Sequence, residues 1–202
     1  MAVTLPLATP LVPSPRPMPE EDAYASWYGR VLGWTVTGGP PVQLVTGVRF
    51  DVLELPSDAG AALLRRPVAT GPVALMGRRM RFLVAAGGAE ELDGLLDWLE
   101  WGGVALDLTA LGAGGRITAP VPPGHAVRDG SPRGAAVWLR PPEQGCEALL
   151  PALSGPGQGA GPDLVRLVSA AATECHRARL RRRTPLRSAV AGPPSRAGRV
   201  SP

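Results

Sequence analysis

The segment VRFDVLELP, Val48–Pro56, has the apolar density of a buried strand, yet it carries two carboxylates, Asp51 and Glu54. Side chains alternate faces along an extended chain, so residues two apart share a face and residues three apart do not. Asp51 therefore sides with Leu53, and Glu54 with Val52. Two acids that hold one divalent cation must converge on it, which a regular strand forbids at this spacing. A β-bulge would restore convergence, but no glycine marks one inside the run.

Outward from this strand, PEEDAYASWYGRVLGW begins with Pro and acids and repeats Ala23, Trp27, Val31 and Trp34 at helical spacing, which predicts a helix ending near Gly33. Val42–Val45 reads as a strand, and SDAGAALLRR as a short helix with a Ser cap. PVALMGRRMRFLVAAG places two apolar runs around a polar centre, the signature of a β-hairpin turning near Gly77. Ala89–Trp101 is expected to be helical, with Leu92, Leu95, Leu96, Leu99 and also Trp98 turned inward. VALDLTALG, GRITAP and AVWLRPP read as further strands. Leu164, Leu167 or Val168, Ala171, Cys175 and Ala178 line one stripe of a C-terminal helix. This order of hairpins and single helices predicts an α+β fold: a largely antiparallel sheet with packed helices, plus the C-terminal helix.

Composition divides the 202 residues further. Six prolines in the first 19 positions predict a disordered Pro-rich arm, 1–19, ahead of an α+β domain, 20–150. A Gly/Pro linker, 151–162, precedes the helix, 163–183, and a disordered basic tail, 184–202. All 21 basic residues are Arg, a bias shared with the abundance of Gly and Pro and typical of a GC-rich coding sequence. The net charge of +4 conceals an asymmetry. Eight Arg follow His176 and no acid follows Glu174, so the tail carries about +8 and residues 1–176 about −4. No apolar run approaches the ~20 residues that span a bilayer, and the N-terminus lacks the charged and apolar regions of a secretory signal. The expectation is a cytoplasmic protein with no membrane span. Cys146 and Cys175 match no metal-ligand or redox spacing and read as unpaired thiols.

Tyr24–Pro142 resembles the N-terminal domain of bacterial bifunctional DNA primase/polymerases, of the archaeo-eukaryotic primase superfamily. The resemblance is carried by the helix ending in Gly33-Trp34, the acid-bearing strand VRFDVLELP, the hairpin GPVALMGRRMRFLVAAG, and LDLTALGAGGRITAPVPP, Leu106–Pro123. It implies an RNA-recognition-like α+β fold and, in an active member, nucleotidyl transfer on Mg²⁺ or Mn²⁺ held by three carboxylates. Carried over by position, those acids are Asp51, Glu54 and Asp107. The family's acidic pair stands two apart, whereas Asp51 and Glu54 stand three apart. Its triphosphate-contacting His is also missing, since no His occurs between Met1 and Gly124.

The sequence thus favours a catalytically degenerate primase/polymerase-like domain, with no cofactor or metal expected, that serves as a DNA-binding or accessory module. The alternatives are an active divergent primase/polymerase that keeps Asp51, Glu54 and Asp107 as its catalytic metal ligands, Asp51 and Asp107 being the pair that would hold a metal if any does, and a protein-interaction scaffold. Arg177, Arg179, Arg181, Arg182, Arg183 and Arg187 are the candidate nucleic-acid-binding residues, because clustered guanidinium groups bind phosphate without reading sequence. The same tail suits an acidic protein partner. Arg78, Arg79 and Arg81 are candidate phosphate ligands, or simply a solvated hairpin tip. His125 reads as a loop histidine, and Gly112–Gly115 lacks the Lys-Ser/Thr of a phosphate-binding loop and reads as a tight turn.

Overall fold

The computed structural model describes residues 19–125, 135–153 and 162–188. The Pro-rich arm before Pro19, most of the Gly/Pro linker and the chain after Ser188 lie outside those residues. Among the described residues four α-helices and eight strands follow in the order α1 (Glu20–Trp27), β1 (Val36–Thr37), β2 (Gln43–Val45), β3 (Asp51–Pro56), α2 (Ser57–Leu63), β4 (Val73–Met76), β5 (Arg79–Val84), α3 (Leu92–Trp98), β6 (Thr109–Leu111), β7 (Arg116–Thr118), β8 (Val137–Arg140) and α4 (Leu164–Ser188). The fold is α+β. Two sheets form, β1-β2-β7 and β6-β3-β5-β4-β8, and every ladder is antiparallel.

β3 and β5 are central, and each is buried on both faces. Leu53, Leu55, Phe82 and Val84 point into a core with Ala59 and Leu63 of α2 and Leu164, Leu167, Val168, Ala171, Cys175 and Ala178 of α4. That last set is the apolar stripe read from the sequence, with Leu167 and Val168 both on it, so α4 forms a layer of the same core. Val52 and Leu83 point the other way, toward Tyr28, Trp34, Leu44, Phe50 and Ile117. This second core is polar-stitched: the Tyr28 hydroxyl donates to the Pro120 carbonyl at 2.6 Å and accepts from Trp138 Nε1 at 2.9 Å.

Several local expectations are corrected. Strand β3 begins at Asp51 rather than Val48, because Gly47 (φ +83°) turns the chain and its N–H donates to Phe50 O at 2.9 Å. A Cβ there would stand 2.3 Å from Ala113 Cα, so only glycine fits. The first helix passes into a π-helical turn, Tyr28–Leu32, before Gly33. That wider turn rotates the buried face onto Tyr28 and Leu32 and leaves Val31 43% exposed; Trp34 packs beyond the helix end. Ser57 does not cap α2. Pro56 holds the N-cap position, and Asp58 Oδ1 accepts from the Ala59 N–H at 2.9 Å. Trp98 is 72% exposed rather than core, since at ~100° per residue it lies well off the stripe through Leu92, Leu96 and Leu99. The strand expected over VALDLTALG contracts to Thr109–Leu111, and helix α4 continues past Arg183 to Ser188.

Because β3 and β5 contribute to both cores, the two halves cannot unfold independently. Phe82→Ala in one core and Leu44→Ala in the other should each lower the unfolding free energy read from a single urea transition, by roughly 3–5 and 2–5 kcal/mol respectively. Two separable transitions would contradict this arrangement.

Candidate functional site

The pleat of β3 separates the two acids of VRFDVLELP. Asp51 is fully buried on the helix-bearing face, opposite Val84, and its Oδ2 accepts from the Ala89 N–H at 2.9 Å. Glu54 stands on the other face, directly across from Arg81. Asp107 is in the loop ahead of β6 and exposed. The register Val52↔Leu111 and Glu54↔Thr109 runs Asp107 toward the Pro56 end of β3, five residue steps from Asp51. At ~3.3 Å per residue that is about 16 Å, too far for a shared ion. Among the described residues no group of three or more His, Cys, Asp or Glu side chains could hold a metal.

Arginine occupies the space between the two acids that do approach each other. Arg79 Nε donates to Glu54 Oε1 at 2.9 Å while its Nη1 reaches Asp107 Oδ1 at 2.6 Å. Arg81 Nε donates to Glu54 Oε2 at 2.7 Å, so both oxygens of Glu54 are spent on guanidinium groups. Burial alone would push the Glu54 carboxyl up, but the hydrogen bonds from Arg81 and Arg79 outweigh it and hold the group below the ordinary carboxylate value. This network was invisible in the sequence as a network, because it depends on the register of the non-local β3–β5 ladder that sets Arg81 opposite Glu54. Of the phosphate candidates, Arg79 and Arg81 are thus committed to carboxylates, and Arg78 at the hairpin tip is exposed.

The hairpin tip, the start of α2, the loop before β6 and the later turns of α4 meet at one end of the molecule. Ser57 N–H donates to Arg78 O at 2.9 Å, Arg182 Nη1 lies 3.2 Å from Asp58 Oδ1, and Arg179 Nη1 donates to the Ala105 carbonyl. Arg177 Nη1 is 2.9 Å from Glu174 Oε1. Arg181 and Arg183 are exposed and make no ion pair among the described residues. Arg187 lies on the helical backbone of α4, with its side chain outside the described set.

The other candidates are placed as follows. His125 is exposed, with its ring edge-on to Tyr24 at 5.6 Å. Gly112–Gly115 closes a turn through Gly115 N–H to Gly112 O at 3.0 Å, between β6 and β7 of different sheets. Trp101 packs against His176 at 5.7 Å. Both cysteines are free thiols, and burial pushes Cys175 up to about 12, which removes it as a nucleophile at neutral pH. No described helix is long and apolar enough to cross a membrane.

No protein-family model matches the chain, and neither the curated proteins nor the solved structures contain a match to it.

The Glu54 network carries a pH signature of definite sign. A carboxyl depressed in the folded state stabilises the fold above its unfolded-state pKa, and that contribution is lost as pH falls through the folded value. Wild type should therefore lose stability as pH drops below about 4–5, and Glu54→Gln should be less stable at pH 7 but flatter across that window. Denaturation midpoints measured from pH 7 to pH 3 decide it; parallel curves for the two proteins would refute the assignment.

Proposed function

We propose that this chain is a primase/polymerase-like domain without an assembled nucleotidyl-transfer site, acting in the cytoplasm as a DNA-binding accessory module. The observation that carries the reading is the end of the molecule where the hairpin tip meets α4. There Arg78, Arg181 and Arg183 stand exposed beyond the acids that neutralise their neighbours. Exposed guanidinium groups on a helix bind phosphodiesters by counterion release, with a steep salt dependence and little sequence preference.

The enzyme alternative requires Asp51, Glu54 and Asp107 to gather around one or two metal ions. Against it stand the opposite-face placement of Asp51 and Glu54 and the salt bridge from Arg79 to both Glu54 and Asp107. Freeing Glu54 would leave two partly buried guanidinium groups without their carboxylate, a strongly unfavourable exchange. The scaffold alternative would use the same exposed Arg for an acidic protein partner.

Fluorescence anisotropy with a labelled duplex should give binding that weakens steeply between about 50 and 200 mM salt. Arg181→Ala/Arg183→Ala should reduce affinity about tenfold and lower the log–log salt slope by roughly two. Unchanged affinity in that double variant rejects the helix end as the binding element. Template-directed primer extension with Mn²⁺ should be absent; extension abolished by Asp107→Asn would establish the enzyme alternative instead.

A further inference from the structure

A second cluster of arginines is built differently from those at the helix end. Between the turn that follows α2 and the middle of α4 lies a cavity of about 250 Å³, lined by Arg66, Pro67, Val68, Ala170, Thr173 and Arg177. Ala170, Thr173, Glu174 and Arg177 recur at i, i+3, i+4 and i+7, so α4 presents them on one face. Glu174 is only 3% exposed, and its Oε1 accepts from Arg66 Nε at 2.9 Å, from Arg66 Nη2, and from Arg177 Nη1 at 2.9 Å.

One guanidinium would neutralise one buried carboxylate. Here two do, which leaves the cluster at a net charge of +1, and both side chains stay open to solvent, 41% for Arg66 and 51% for Arg177. Each guanidinium offers five N–H donors. Arg66 spends two of them on Glu174 and Arg177 one, and no other acceptor is bonded to either among the described residues. The buried carboxylate therefore acts as an anchor that orients two half-used forks at the rim of one cavity. An incoming anion meets donors whose rotamers are already fixed, so little side-chain ordering remains to oppose binding.

We propose that Arg66 and Arg177, oriented by Glu174, form a phosphoryl-binding pocket between α2 and α4. A phosphoryl group carries nearly two negative charges at neutral pH and three strong acceptor oxygens, enough to engage the unspent donors of both forks at once. The cavity falls below the ~300 Å³ typical of whole small-molecule sites, which matches a phosphate group more than an entire nucleotide. The apolar walls from Pro67, Val68 and Ala170 then face the stem that carries the phosphate. Its source is either a free phosphate monoester or the backbone of a nucleic acid, and the pocket stands whether or not the chain binds DNA at its helix end.

The test is calorimetric titration of the full chain with inorganic phosphate, followed by the same titration on protein saturated with a duplex oligonucleotide. Saturable binding by wild type is expected, weakened about tenfold or more by Arg177→Gln, because a charge-assisted hydrogen bond is lost. Arg66→Gln alone leaves a buried carboxylate short of a partner and threatens the fold. Arg66→Gln/Glu174→Gln keeps an amide pair there, and should melt near wild type while losing phosphate by the same factor. Phosphate excluded by the duplex identifies the nucleic-acid backbone as the occupant, whereas phosphate that still binds identifies a free phosphate compound; both support the pocket. No saturation up to about 20 mM phosphate, or equal affinity in wild type and the folded variants, overturns it.

Discussion

The constraint on which the rest of the structure depends is the two-sided burial of β3. A strand covered by α2 and α4 on one face and by Tyr28, Trp34 and Phe50 on the other has little solvent-facing surface on which to put a charge. A carboxylate in such a strand must find donors within the fold, because leaving it unpaired costs several kcal/mol. The two acids meet this demand to different degrees. Asp51 takes a backbone N–H from Ala89 on Oδ2 while its buried Oδ1 has no donor among the described residues, and Glu54 takes two guanidinium groups from the neighbouring strand.

Those solutions set the chemistry that is available. Metal-assisted nucleotidyl transfer needs carboxylate oxygens that point at a common solvent-accessible spot and are not already neutralised. The pleat sends Asp51 and Glu54 apart, and Arg79 ties Glu54 to Asp107. The same residues therefore serve cohesion between β3, β5 and the loop before β6. Whether such a pairing stabilises the fold by more than apolar side chains would is a separate matter, since desolvation offsets much of the Coulombic gain. What the pairing does impose is register, because only one alignment of β3 with β5 sets Arg81 across from Glu54.

How much of this was legible in the sequence follows from the range over which each signal acts. The α4 stripe and the Gly77 hairpin were legible because a helical period and a turn between two apolar runs are local patterns. The opposite-face placement of Asp51 and Glu54 was legible too, since the pleat needs nothing but spacing. The π-helical turn at Tyr28–Leu32 was not, because the insertion that shifts the buried face carries no residue of its own. Nor was the division of the strands into two sheets: β6 and β7 are five residues apart yet pair with different partners, a decision made by packing against β3 and β2. The Arg66–Glu174 pair joins positions 108 residues apart, and no local pattern could announce it.

The arginines of α4 show why a count of charges overstates an electrostatic surface. No acid follows Glu174 in the chain, so partners for the later arginines must come from other elements, and the fold supplies them where it can. Glu174 itself holds Arg177, Asp58 at the head of α2 meets Arg182, and the Ala105 carbonyl receives Arg179. A guanidinium bound in this way offers only its unspent donors to a ligand; the Asp58 carboxylate offsets the charge of Arg182, Glu174 offsets one of the two charges of Arg66 and Arg177, and the neutral Ala105 carbonyl occupies a donor of Arg179 without removing its charge. Arg181 and Arg183 escape this because two steps along a helix turn a side chain by roughly 200°, so no single flank of the body can neutralise both. The attraction of this surface for a polyanion is thus concentrated where the helix outruns the acids that line the body. It follows from the placement of Asp58, Glu174 and Ala105 as much as from the arginines.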